Sequence, residues 1–120
     1  MIPVTASDLG IELSEAVIIK HENCAFIATR LDAILRSMQV KRIVLAGVVI
    51  HNSMDATIRA GKALGYEIIL PADATTAVPL NRSNGTCWDA FTVYELTLAI
   101  LGTEYAQVMS SEDVIAQFCL

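Results

Sequence analysis

Apolar residues along this chain fall into two rhythms, short unbroken runs and stripes at helical spacing, and their order predicts a succession of strands and helices. Ile43, Val44, Leu45 and Ala46 form a run without polar interruption, the pattern of a parallel strand covered on both faces, and set a strand over 42–47. A second run covers 66–70 and is stopped by Pro71; a third lies at 105–109. The stretch 16–20 (AVIIK) is shorter, strand-like, and ends on a cation. Between these runs the spacing changes. Leu31, Ile34, Leu35 and Met38 share one face of a helix over 29–38, with Thr29 as cap and Asp32 in its first turn. Met54, Ile58, Gly61 and Leu64 line one stripe of a helix over 53–64, with Asn52 as N-cap, Asp55 three residues on, and Gly65 closing it. Cys87, Phe91, Tyr94, Leu98 and Leu101 give a helix over 87–101, and a last helix over 111–118 carries Glu112 and Asp113 in its first turn. Residues 1–14 read as an extended lead-in or one with a short turn of helix, and 73–85, rich in Thr, Pro, Asn, Ser and Gly, as a loop long enough to fold over a site.

Strand and helix in strict alternation imply right-handed crossovers and a parallel sheet. The expected class is α/β, a three-layer Rossmann-like arrangement, with residues 1–120 as one domain. Gly61 sits inside a helix, where it costs about 1 kcal/mol against alanine, so close packing against a strand or a second helix is expected there.

Composition narrows the function classes. The chain has 120 residues, 54% of them hydrophobic and 18% charged, which describes a globular domain rather than a disordered one. A formal charge of −5 argues against a nucleic-acid or anionic-membrane surface. No apolar run approaches the ~18 residues of a membrane span, and the N-terminus lacks the charged and apolar regions of a secretory signal. The three cysteines, Cys24, Cys87 and Cys119, form no C-x-x-C pair, so unpaired thiols in a cytoplasmic protein are expected, with no metal and no cofactor.

The chemistry-bearing stretch is RIVLAGVVIHNSMDAT, from Arg42 to Thr57. A buried strand feeding a helix through a tight turn leaves backbone N–H groups free at the C-terminal edge of a sheet, where open α/β folds bind ligands. Ser53 stands at the mouth of such a site. His51, two residues earlier, is a candidate base for it; the alternative is a histidine hydrogen-bonded within the turn. Lys20 by composition alone reads as a surface lysine closing an edge strand. His21 reads as a solvated neighbour, and Trp88 and Tyr94 read as core or interface.

GVVIHNSMDAT is similar to the nucleophile turn of the isochorismatase-like cysteine hydrolases, the family that includes nicotinamidases and carbamoylsarcosine-type amidases. Gly47, Val48, Ala56 and Thr57 fall in register with that pattern, and Ser53 occupies the position of its catalytic cysteine. VIIKHENCAFIATRLDAIL resembles a second family segment through Lys20, Ala25, Phe26, Thr29, Leu31 and Leu35; LGYEIILPADATTA resembles a third through Leu64, Gly65, Tyr66, Asp73 and Ala74. The separation from Lys20 to Ser53 is the one that the carbamoylsarcosine-type branch uses between its lysine and its cysteine. The resemblance implies Lys20 as the triad lysine, Ser53 at the nucleophile position, an oxyanion hole from the backbone N–H groups of Val49 and Ser53, and a cis peptide at Val48–Val49.

Two departures shape the functional expectation. A serine hydroxyl is far less acidic than a thiol, so a neighbouring cation does not ionise it, and it needs a general base. The family's triad aspartate belongs to a strand upstream of Met1; Asp8 is the candidate substitute. The resemblance therefore implies a hydrolase of a small amide, imide or vinyl-ether substrate, or an inactive relative that binds a small molecule or a partner at the same pocket. The strand absent beside 42–47 would leave an apolar edge open, which predicts a homo-oligomer through that edge.

Overall fold

The computed structural model describes residues 16–118. Its strands are β1 (Arg42–Val44), β2 (Glu67–Pro71), β3 (Leu80–Asn81), β4 (Cys87–Trp88) and β5 (Gln107–Met109); its α-helices are α1 (Leu31–Ser37), α2 (Asp55–Ala63), α3 (Ala90–Glu104) and α4 (Ser111–Phe118). Strands β1, β2 and β5 make a parallel sheet in the order β1-β2-β5, and β3 and β4 form a separate antiparallel hairpin. The register sets Ile43 against Ile68 and Leu70 against Val108. The α/β expectation holds.

Strand β2 is central, and its residues from Ile68 to Pro71 are all buried. Because side chains alternate along a strand, Ile68 and Leu70 share one face. They join Ile50, Met54, Ile58, Tyr66 and Leu101 in the main core cluster. Strand β1 differs from the expectation of cover on both faces: Val44 is 44% exposed. Among the described residues β1 has one neighbour, β2, and its other edge is unpaired. An uninterrupted apolar run shows that a strand can be covered, whereas its neighbours decide whether it is.

The close packing expected at Gly61 is present. A Cβ there would lie 2.9 Å from Ile68 Cδ1 and 3.2 Å from the Phe26 ring. Gly65 follows α2 at φ +99°, a conformation that L side chains rarely adopt. Phe26 stacks on Tyr66 with centroids 5.8 Å apart, and the Tyr66 hydroxyl donates to Asp32 at 2.5 Å. That bond holds the Asp32 carboxyl below its ordinary range, with Arg36 adding to the effect, while burial pushes the Tyr66 phenol up.

Three boundaries moved for identifiable reasons. The 16–20 stretch adopts no regular strand, since no ladder partner stands beside it among the described residues. Helix α1 begins at Leu31 after Arg30 without a side-chain cap; the Thr29 hydroxyl instead donates to Ala25 O at 2.5 Å and accepts weakly from Leu31 N at 3.3 Å. Helix α3 begins at Ala90 rather than at 87 because Asp89 caps it, accepting from Thr92 N at 2.7 Å. Cys87 and Trp88 pair with Asn81 and Leu80 in the hairpin, so the loop expected over 73–85 contains structure of its own.

Candidate functional site

Strand β1 ends at Val44, and the chain then turns sharply at the C-terminal edge of the sheet. Leu45 N donates to Ile69 O at 3.0 Å, Gly47 N to Ala74 O at 3.1 Å, and Ile50 N to Thr76 O at 2.8 Å. The turn is thereby tied to the segment that follows β2. Gly47 takes φ +146°, and a Cβ there would meet Met54 Sδ at 3.4 Å, so glycine is the residue that this bend accepts. The Val48–Val49 peptide is cis.

After the bend a single wide helical turn, Ile50–Met54, leads into α2. The expected N-cap, Asn52, lies inside this turn rather than before it: Val49 is the extended residue at its start, and Asn52 N donates to Val49 O at 3.2 Å. The displacement follows from the fully buried Ile50 and buried Met54, which anchor the turn in the core. Helical winding therefore starts before the polar residue that the sequence pattern marks as its boundary.

Ser53 is half-buried on this turn, and its Oγ donates to Val48 O at 3.1 Å. Lys20 is exposed, and its Nζ donates to Glu22 O at 3.0 Å and Asn23 O at 3.3 Å, curling over its own loop. His51 is half-buried and lines a cleft of about 150 Å³ with Leu80, Trp88, Val93, Leu96 and Ile100. Its Nδ1 atom is buried there without a hydrogen-bond partner. Among the described residues no hydrogen bond joins Ser53 to Lys20 or to His51, and Asp8 lies outside the described residues.

Two residues that matched by register have clear positional roles. Thr57, buried on α2, accepts from Ala25 N at 3.0 Å and so fastens the segment that carries Lys20 to the helix that follows Ser53. Asp73 accepts from the Ser111 hydroxyl at 2.5 Å and from Ser111 N at 2.7 Å. The two bonds hold its carboxyl below the ordinary range, the hydroxyl contributing most. The Tyr94 hydroxyl donates to Ala72 O at 2.5 Å, and burial pushes its phenol up. Together these bonds pin the β2 exit, whose Thr76 carbonyl accepts from Ile50 N of the Ser53 turn. The capping role of Asp73 was missed from sequence, where the signal was only an acid at a strand exit and a serine opening a later helix.

The fold is thus a parallel α/β sheet whose β1 exit turns sharply into the wide helical turn that carries Ser53 and leads into α2. The Isochorismatase domain matches residues 5–110, and the chain belongs to that family. It is 31% identical over 87% of its length to YrdC, an uncharacterized isochorismatase family protein of Bacillus subtilis (strain 168), covering 56% of that protein. An isochorismatase-family structure from Chromobacterium violaceum superposes with a TM-score of 0.84 at 36% identity, over 88% of this chain and 54% of that one. A cysteine hydrolase from Pseudomonas syringae pv. phaseolicola gives a TM-score of 0.86 at 26% identity, over 91% and 51% of the two chains. The chain thus spans about half the length of the relatives it matches.

Proposed function

We propose that this chain carries the nucleophile half of an isochorismatase-type hydrolase site, with Ser53 in the position of the attacking residue. A small amide, imide or vinyl-ether substrate would lie against the turn, its developing negative charge met by the N–H groups of Val49 and Ser53. Lys20 would supply positive charge after leaving its loop carbonyls, and His51 would serve as base after a ring rotation toward Ser53. The observation that carries this reading is the position of Ser53, half-buried on a bend tied by three backbone bonds to the β2 and post-β2 segments.

A second reading is favoured by one contact. The Ser53 hydroxyl donates to the Val48 carbonyl, which occupies the proton that a base would have to take. In this reading the turn binds a small molecule without turning it over. The β1 edge, with Val44 and Val48 exposed beside it, supports pairing with a second copy under either reading. Cys24 and Cys87 carry free thiols, which favours a reducing cytoplasmic setting. Among the described residues no helix is long and apolar enough to cross a membrane.

The test is turnover of a panel of small amides, imides and vinyl ethers by the chain and by Ser53→Ala, with binding followed separately by calorimetry. Turnover abolished in Ser53→Ala supports the hydrolase. Binding that survives the substitution, with no turnover by either protein, overturns the hydrolase in favour of the binding reading.

A further inference from the structure

The hairpin between β3 and β4 turns through Arg82, Ser83, Asn84, Gly85 and Thr86, all of them exposed. Gly85 N donates to Arg82 O at 3.1 Å, and Arg82 N donates to Thr86 O at 2.7 Å. A tight turn is thereby followed by one left-handed residue, and Gly85 takes that place at φ +84°. The chain has four asparagines, and Asn84 is the one that precedes a glycine. Its side chain is held in place: Oδ1 accepts from Thr86 N at 3.1 Å and from the Thr86 hydroxyl at 2.7 Å. A backbone N–H can only donate, so the contact with Thr86 N fixes which end of the amide is oxygen.

We propose that Asn84 is a self-modification site, where the side-chain amide is lost to give a mixture of aspartate and isoaspartate. Three features of the turn suit it to this chemistry. No side chain shields the Gly85 nitrogen, and a Cβ built on Gly85 would meet nothing within 4 Å. Both Thr86 donors rest on Asn84 Oδ1, where negative charge develops when the amide carbon is attacked, so they act as a small oxyanion hole. Exposure gives water and hydroxide access to both reacting groups. Solvent hydroxide removes the Gly85 N–H proton once its bond to Arg82 O opens, and the nitrogen forms a bond to Asn84 Cγ. The Cγ–Nδ2 bond then breaks, ammonia leaves, and a five-membered succinimide remains. Water opens that ring at either carbonyl. Cleavage at Cγ gives aspartate; cleavage at the main-chain carbonyl gives isoaspartate, whose chain continues through Cγ. Nothing is oxidised or reduced, and one water is exchanged for one ammonia. Either product places a negative charge in the turn. Isoaspartate also lengthens the backbone by one atom, which displaces the closing bond from Arg82 N to Thr86 O. That closure holds Arg82 over the Trp88 ring at 4.5 Å, and Trp88 borders the cleft beside His51. No step involves Ser53, so the site stands whether or not the Ser53 turn hydrolyses a substrate.

The test incubates the whole chain in a mildly alkaline, ammonia-free buffer. Peptide mapping by mass spectrometry follows the change from amide to acid, and labelling by an isoaspartyl methyltransferase reports isoaspartate. The expected result is loss of the Asn84 amide more than tenfold faster than that of Asn81, which is also exposed on the hairpin but precedes Arg82, with isoaspartate among the products. Thr86→Val should slow the loss severalfold, and Thr86→Ser should keep the parent rate. Trp88 is the sole tryptophan, so its emission reports the state of the hairpin. The isoaspartate form, separated by chromatography, should emit further to the red, whereas Asn84→Asp, with the charge but an ordinary backbone, should keep the parent emission. An Asn84 amide as durable as that of Asn81, or an unchanged rate in Thr86→Val, overturns the proposal. An isoaspartate form with the parent emission overturns its reach to Trp88.

Discussion

Replacing Gly61 with alanine sets two opposing effects against each other at one position. In an exposed helix the change stabilises by about 1 kcal/mol, because glycine loses more backbone freedom on folding. Here the new methyl would sit 2.9 Å from Ile68 Cδ1 and 3.2 Å from the Phe26 ring. Ile68 is buried in the main core cluster and Phe26 stacks on Tyr66, so both neighbours are held and yield only by leaving their packed positions. Overpacking of this kind costs about 1–3 kcal/mol, and subtracting the helix gain leaves a net loss of roughly 0–2 kcal/mol. Ile68→Val removes the atom in closest conflict and by itself costs about 0.5–1.5 kcal/mol. Combined with Gly61→Ala it should cost less than the two losses added, with a coupling on the order of 1 kcal/mol. Urea unfolding followed by circular dichroism measures all four corners of this cycle. A Gly61→Ala protein more stable than its parent by about 1 kcal/mol, with additive behaviour in the double variant, would show that helix α2 does not press on β2 as described.

Other consequences can be checked with small perturbations. Asp89→Ala should lower the melting temperature by a few degrees through loss of the α3 cap, while Asp89→Asn should retain most of it; equal losses for both would mean that charge rather than the bond to Thr92 N matters. Asp32, Asp73 and Asp89 have carboxyls held below their ordinary range, so their contribution to stability is complete above about pH 4 and disappears as pH falls through their folded values. The urea midpoint should accordingly fall as pH drops below about 4, and a flat profile there refutes the assignment. Tyr66 and Tyr94 are raised, so their contribution is present below about pH 10 and lost as pH climbs through their folded values, giving a second fall at the alkaline end. Ser53→Cys, probed with iodoacetamide across pH, should give a thiol reacting with a midpoint below the usual ~8.5 if Lys20 can swing to the turn. An ordinary midpoint means that Lys20 stays on the carbonyls of Glu22 and Asn23.

The sequence by itself determined the alternation of strand and helix, because apolar periodicity records which residues can be buried together. It placed the bend after β1, since Gly47 follows an unbroken apolar run, and the end of α2, since Gly65 accepts a positive φ. It also pointed to close packing at Gly61, where a glycine inside a helix has no local justification. The register of Ser53, Lys20 and Asp73 with the isochorismatase-like hydrolases came from the resemblance of three motifs in order. Tertiary structure decided the rest. Periodicity cannot say which strand is central, so β2 emerged as the covered strand and β1 as an edge. Nor could it show that Cys87 and Trp88 would pair across a hairpin, because a two-residue antiparallel contact depends on a partner strand several residues away. The direction of the His51 ring was undecided for a similar reason. Two residues from Ser53 in sequence, His51 could face that serine or the opposite side of the turn, and the winding set by the buried Ile50 and Met54 placed it over α3.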